Sequence, residues 1–182
     1  MKWDAVVLPG SPRSPNITNL NIDVTIERLK NAYMLSQFKI VGICFGHQLI
    51  AKHFGSIIER QNECFFAETV KFIKNLTDRM AFYKTYKIEA LSKFLSQVHV
   101  VTVPEGFEVI ASSKSCEIEA MVSLNGRIFA MQFHPEYIYN SYFEKMKVEG
   151  TASPSETWDA LKARHIQDSN AVMHCVTKFL GL

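Results

Sequence analysis

Gly42-Ile43-Cys44-Phe45-Gly46 sets the tightest constraint on this chain. Ahead of the cysteine, Ile40-Val41-Gly42-Ile43 is a short apolar run that reads as a buried strand. Behind it, Leu49, Ile50, His53 and Phe54 recur at helical spacing until Gly55 supplies a stop signal. A cysteine at a strand-to-helix turn, with glycines two before and two after it, has the form of a nucleophile elbow with Cys44 in place of serine. A turn sharp enough to push a thiol out of a sheet leaves little space for side chains at either flank, which is why glycines stand there. The helix that follows presents its first amides and positive dipole end to the sulfur, favouring thiolate.

The rest of the chain alternates between the two periodicities. Asp4–Leu8 reads as a strand that Pro9-Gly10-Ser11-Pro12 ends abruptly, and the prolines of that loop exclude helix through Asn16. A helix is expected from about Asn19 to Leu35, with Leu20, Val24, Leu29 and Tyr33 or Ala32 facing inwards. Ser56–Ile58 and Thr69–Ile73 read as strands, whereas Asn75–Phe94 is weakly patterned, with a short helix expected over Ile88–Leu95. Four strand runs follow: Val98–Val103, Phe107–Ala111, Ile118–Val122 and Arg127–Phe133. Asn125-Gly126 between the last two is a strong hairpin signal. Ser153-Pro154-Ser155-Glu156 has the form of a capping box with proline at the first helical position. It opens a long amphipathic helix along which Trp158, Leu161, Ile166 or His165, Val172, Val176 and Phe179 face inwards. Strands alternating with helices and then a meander argue an α/β domain with a mixed sheet.

Composition narrows the function classes. At 182 residues and 47% hydrophobic content the chain forms one domain over 1–182 with a sizeable core. Twenty basic against 18 acidic residues, with no basic stripe, exclude a nucleic-acid partner. No apolar stretch nears the ~18 residues that span a bilayer, and Met1-Lys2-Trp3-Asp4 has no signal-peptide form. Cys44, Cys64, Cys116 and Cys175 are scattered, which fits free thiols in a reducing cytoplasm. Cys44 and His47 make a C-x-x-H without a second ligand pair, so neither a metal site nor a cofactor is expected.

A second chemical signal lies in Met131-Gln132-Phe133-His134-Pro135-Glu136-Tyr137. An apolar strand delivers His134 and proline stops it at once. Glu136 stands where it can reach the imidazole from the side opposite a thiol. A cysteine nucleophile needs a base, and the base needs a group that fixes its tautomer. Taken alone, His134 also reads as a capped strand end and Glu136 as a solvated surface acid.

Together, Gly42-Ile43-Cys44-Phe45-Gly46-His47-Gln48 and Gln132-Phe133-His134-Pro135-Glu136 resemble the class I glutamine amidotransferases, from about Trp3 to Tyr137 and in the family's order. The resemblance implies a flavodoxin-like three-layer domain with a mixed, mostly parallel sheet. Its motif-bearing part covers about 3–145, and a helical region covers about 146–182. It implies that Cys44 attacks the glutamine carboxamide to give a γ-glutamyl thioester, that His134 moves the protons and that Glu136 orients His134. The backbone amides of Phe45 and Ser11 would hold the oxyanion, with Gly10 giving the loop its turn freedom and lying against substrate. Gln48 matches a position that contacts substrate glutamine, and His99 is a candidate substrate-loop residue.

The chain also departs from that pattern. In related domains at least one β-α-β stretch, roughly 30 residues, precedes the glycine-proline loop strand, whereas here only Met1-Lys2-Trp3 does, which reads either as a shortened domain or as a fragment or incomplete gene model. The segment Gln97–Phe107 is shortened, with no aspartate after His99. Glu63-Cys64-Phe65-Phe66-Ala67-Glu68 replaces a glycine-containing pocket segment. Three functions stand open. The first is a glutaminase-type amidotransferase whose ammonia goes to a separate synthetase partner or to water. The second is a γ-glutamyl peptidase or hydrolase: F-G-H-Q at the elbow and G-S-P in the loop look more like stand-alone members such as plant γ-glutamyl peptidases. The third is an inactive binding or regulatory homologue.

Overall fold

The computed structural model describes residues 4–16, 19–60, 68–72, 90–93, 98–136 and 158–182. Seven strands form the larger sheet: β1 (Ala5–Leu8), β2 (Lys39–Ile43), β4 (Glu68–Phe72), β5 (Ala90–Lys93), β7 (Phe107–Ser112), β8 (Ala120–Ser123) and β9 (Ile128–Met131). Across that sheet their order is β1-β2-β9-β8-β7-β4-β5. A separate two-stranded sheet pairs β3 (Ile58–Arg60) with β6 (Val98–Val100). The helices are α1 (Leu20–Leu35), α2 (Phe45–His53) and α3 (Trp158–Leu180).

The mixed α/β sheet is present, but among the described residues parallel pairing is confined to β1, β2 and β9. The pairings β9-β8, β8-β7, β7-β4 and β4-β5 are antiparallel, so the expectation of a mostly parallel sheet gives way. For β8 and β9 the reason is local: Asn125-Gly126, with Gly126 at φ +68, closes a tight hairpin, and hairpins can only join antiparallel strands. The helix expected over Ile88–Leu95 is also corrected. Ala90–Lys93 is strand β5, held by its antiparallel register with β4 from Glu68↔Lys93 to Lys71↔Ala90. Cross-strand pairing here overrides weak local preference.

Each sheet face carries its own core, giving three layers. On one face Tyr33, Ile40, Ile50, Ala51, Met121, Ile128 and Ala130 pack beneath α1 and α2. On the other, Val41, Ile43, Phe129, Met131 and Phe133 meet Val172, Cys175, Val176 and Phe179 of α3. The inward face of α3 thus follows the expectation at His165, Val172, Val176 and Phe179, joined by Ser169 and Cys175. The proposed capping box at 153–156 lies outside the described residues. Helix α1 turns Leu29 and Tyr33 inwards as expected, but not Leu20, which is 75% exposed, or Val24, which also faces solvent. Ile22 and Ile26 take their places in the inward row. Asn19 caps α1 by accepting from the Ile22 amide at 3.2 Å, so Leu20 occupies the first helical position, off the buried stripe.

Candidate active site

The site forms where the two parallel neighbours β2 and β9 end. Their register runs from Ile40↔Ile128 to Ile43↔Met131, and the ladder closes with the Cys44 amide donating to the Met131 carbonyl at 2.8 Å. That bond brings together two motifs far apart in sequence, at the carboxyl ends of parallel strands where α/β sheets place their ligands.

Cys44 leaves β2 at φ 51 and ψ −103, the one positive-φ residue other than glycine among the described residues. Such a backbone is strained for an L-residue and persists only where its surroundings enforce it. Both glycines help to do so. A Cβ on Gly46 would lie 2.1 Å from the Leu8 carbonyl oxygen, and one on Gly42 would lie 2.5 Å from Cδ1 of Ile50. The elbow therefore packs backbone against β1 and lays α2 flat on β2. Cys44 stands as the N-cap of α2, with no side-chain hydrogen bond to that helix end. The first amides of α2 remain turned towards the region of the thiol.

His134 follows β9 and is nearly enclosed, with 13% of its side chain exposed. Its Nδ1 meets Oε1 of Glu136 at 2.6 Å, and its ring also hydrogen-bonds Cys44. With Nδ1 committed to the carboxylate, Nε2 is the ring nitrogen that serves the thiol. Burial alone would depress the imidazole, but the hydrogen bonds and charges of Cys44 and Glu136 prevail and lift it from 6.5 to about 9. The arrangement thus favours an imidazolium between a sulfur and a carboxylate. Cys116 and Cys175 are buried, and burial pushes the Cys175 thiol up to about 11, so it stays protonated.

The loop from Pro9 to Pro12 approaches from β1. A Cβ on Gly10 would sit 2.5 Å from Cε1 of His134, so the loop presses its backbone directly on the imidazole. Gly10 is not at positive φ, so close approach rather than turn freedom demands glycine there. Ser11 likewise keeps a negative φ, and its hydroxyl accepts from the Arg13 amide at 3.2 Å. A cavity of 420 Å³ opens between this loop and α2, lined by Pro12, Arg13, Asn19, Phe45 and Leu49 among others.

Gln48, on the first turn of α2, is buried, and its Nε2 donates to Oε1 of Gln132 at 3.0 Å. Gln132 in turn donates from Nε2 to the Cys44 sulfur at 3.6 Å. No role for Gln132 followed from the sequence alone, although a glutamine within an apolar strand run was the available signal. His99 lies in β6 opposite Glu59, within the small sheet rather than the one that carries Cys44 and His134. The pocket segment 63–67 falls outside the described residues. Among the described residues no cluster of three or more His, Cys, Asp and Glu could hold a metal ion, and no helix is long and apolar enough to cross a membrane.

The elbow, the strand-end histidine and the three-layer fold define a class that comparison with known proteins identifies directly. A family model for glutamine amidotransferase class-I matches residues 1–147, and the chain belongs to that family. Among curated relatives it is 33% identical over 131 residues to a glutamine-hydrolyzing GMP synthase subunit of Methanococcus aeolicus, spanning 72% of this chain and 63% of the relative. It is 34% identical over 120 residues to the protein of the same name from Methanocaldococcus jannaschii, spanning 64% of this chain and 62% of the relative. The chain therefore spans less than two thirds of these relatives. Solved structures share the fold at low identity. A glutamine amidotransferase from Thermotoga maritima superposes with a TM-score of 0.71 at 16% identity, over 99% of this chain and 79% of that one. One from Methylobacillus flagellatus gives 0.73 at 16%, over 94% and 74%.

Proposed function

We propose that this chain hydrolyses the side-chain amide of glutamine through a γ-glutamyl thioester on Cys44. The observation that carries the reading is the unbroken line from Glu136 through His134 to Cys44 at the end of the β2–β9 ladder. In the first half-reaction the sulfur attacks the carboxamide carbon while the His134 imidazolium gives its proton to the departing nitrogen, and ammonia leaves. In the second, His134 takes a proton from water, the hydroxyl adds to the thioester carbon, and glutamate departs as the C–S bond breaks. Glu136 holds the ring through Nδ1 and stabilises its charge in both halves. The amides of Phe45 and Ser11 receive the oxyanion that forms in each addition. Gly10 keeps that loop against the ring, and Gln48 and His99 are assigned to the remainder of the substrate.

The curated relatives are named as parts of a glutamine-hydrolyzing synthase, which supports glutamine over a γ-glutamyl peptide as substrate. It also supports delivery of ammonia to a separate synthetase partner. The test measures ammonia release from glutamine beside cleavage of a γ-glutamyl dipeptide by the same preparation. Turnover of glutamine alone, or in clear preference, is expected. Preference for the dipeptide makes the chain a γ-glutamyl hydrolase. No turnover of either by folded protein, with and without a synthetase partner, makes it a binding homologue.

A further inference from the structure

Two buried amides lie in series beside the nucleophile, and the hydrolysis itself does not call on the contact of Gln132 with it. Met131 and Phe133 both point into the core beneath α3, so strand alternation turns Gln132 to the opposite side, towards α2. There Gln132, 1% exposed, meets Gln48, 4% exposed, at the first turn of the elbow helix. The Gln48 amide donates to Oε1 of Gln132 at 3.0 Å, and Nε2 of Gln132 reaches the Cys44 sulfur at 3.6 Å, a usual length for a hydrogen bond to the larger sulfur atom. The relay has one chemically consistent direction when the sulfur is ionised. A thiolate accepts and does not donate, so Gln132 must turn its NH₂ towards it, and its carbonyl must then find a donor. Gln48 supplies that donor.

We propose that Gln132 is a positioning residue for the nucleophile, an amide donor to the Cys44 thiolate that is itself locked by Gln48. This rests on the reading of Cys44 as the nucleophile. Charge-assisted hydrogen bonds are stronger than neutral ones, so the contact favours thiolate over the neutral sulfur of the acyl-enzyme. It acts twice: it holds the charged sulfur in place for attack, and it helps the sulfur leave when the thioester is hydrolysed. No proton is transferred through it. The amide needs only to be present and fixed in direction, and burial of both glutamines supplies the fixing.

The test follows alkylation of Cys44 by iodoacetamide across pH, read by peptide mass spectrometry, in the parent chain, Gln132→Met and Gln48→Leu, with folding checked by near-ultraviolet circular dichroism. Gln132→Met keeps most of the volume and removes the donor. Its alkylation on the rising limb of the profile is expected to slow about tenfold, with the same plateau. Its kcat on glutamine falls about tenfold with KM little changed. Gln48→Leu leaves Gln132 in place but unlocks it, and moves the profile the same way by less. Superimposable profiles in folded Gln132→Met overturn the proposal. If that variant does not fold, Gln48→Leu decides: a displaced profile supports the relay and an unmoved one overturns it. Selective labelling of Cys44 with unmoved profiles sinks this inference alone. Failure of Cys44 to label selectively in the parent chain sinks the nucleophile reading beneath it.

Discussion

The backbone amide of Cys44 donates to the carbonyl of Met131 across 2.8 Å, and this last ladder bond between β2 and β9 brings Cys44 and His134 to one end of the sheet. The proposed catalytic residues lie within a few positions of it. Cys44 begins an elbow on one strand, and Gln132, His134 and Glu136 follow the other.

Glu136→Gln keeps a hydrogen-bonding group beside His134 and removes its charge. Because the carboxylate is one of the groups that raise the imidazole, the variant lowers the pH at which His134 loses its proton. Expected are a kcat lower by about 10² to 10⁴ and an alkaline limb of the rate profile displaced to lower pH. Steady-state rates of ammonia release across pH check both.

Stability carries the same signature. His134 is raised from 6.5 to about 9 in the folded chain, so the protonated ring binds its surroundings better than the unfolded chain binds a proton. The contribution is complete below pH 6.5 and is lost as pH climbs through about 9, on the order of 3 kcal/mol in all. Urea unfolding of the parent and of His134→Asn should therefore diverge most below pH 6.5 and converge above pH 9.

At Cys44 the backbone and the chemistry ask for different residues. Glycine adopts φ 51 without strain, whereas alanine keeps the strain and loses the sulfur. Cys44→Gly is expected to be more stable than Cys44→Ala by about 1 kcal/mol, both being inactive. Denaturant midpoints of the two variants measure the difference free of the thiol's own contacts.

Gly10→Ala tests the loop. Its new Cβ would stand 2.5 Å from Cε1 of His134, too close for either to stay in place. The expected result is a kcat reduced by at least about tenfold, since small misplacements of a catalytic group are costly, with a stability loss of about 1–3 kcal/mol. Unaltered kcat would show that the ring does not sit where the loop presses.

Local signals carried much of this site. The glycines about Cys44, the strand that ends in His134-Pro135 and the offset to Glu136 are short-range features, and each survives in the folded chain. What no short window contains is the strand order that inserts β9 beside β2 and sends the intervening strands outward. The same limit hid Gln132, whose partners Gln48 and Cys44 lie more than 80 positions away. In helix α1 the apolar Leu20 and Val24 suggested inward positions, but with Asn19 capping the helix it is Ile22 and Ile26 that join Leu29 and Tyr33 on the buried row. Strand β5 has little preference of its own and takes its form from β4.

Covalent chemistry at Cys44 is tested by trapping its product. Protein mixed with glutamine, quenched in acid within its turnover time and mapped by peptide mass spectrometry should carry a γ-glutamyl thioester on the Cys44 peptide, absent from Cys44→Ala. A γ-glutamyl adduct on Cys64, Cys116 or Cys175, or steady ammonia release from Cys44→Ala, would contradict the account.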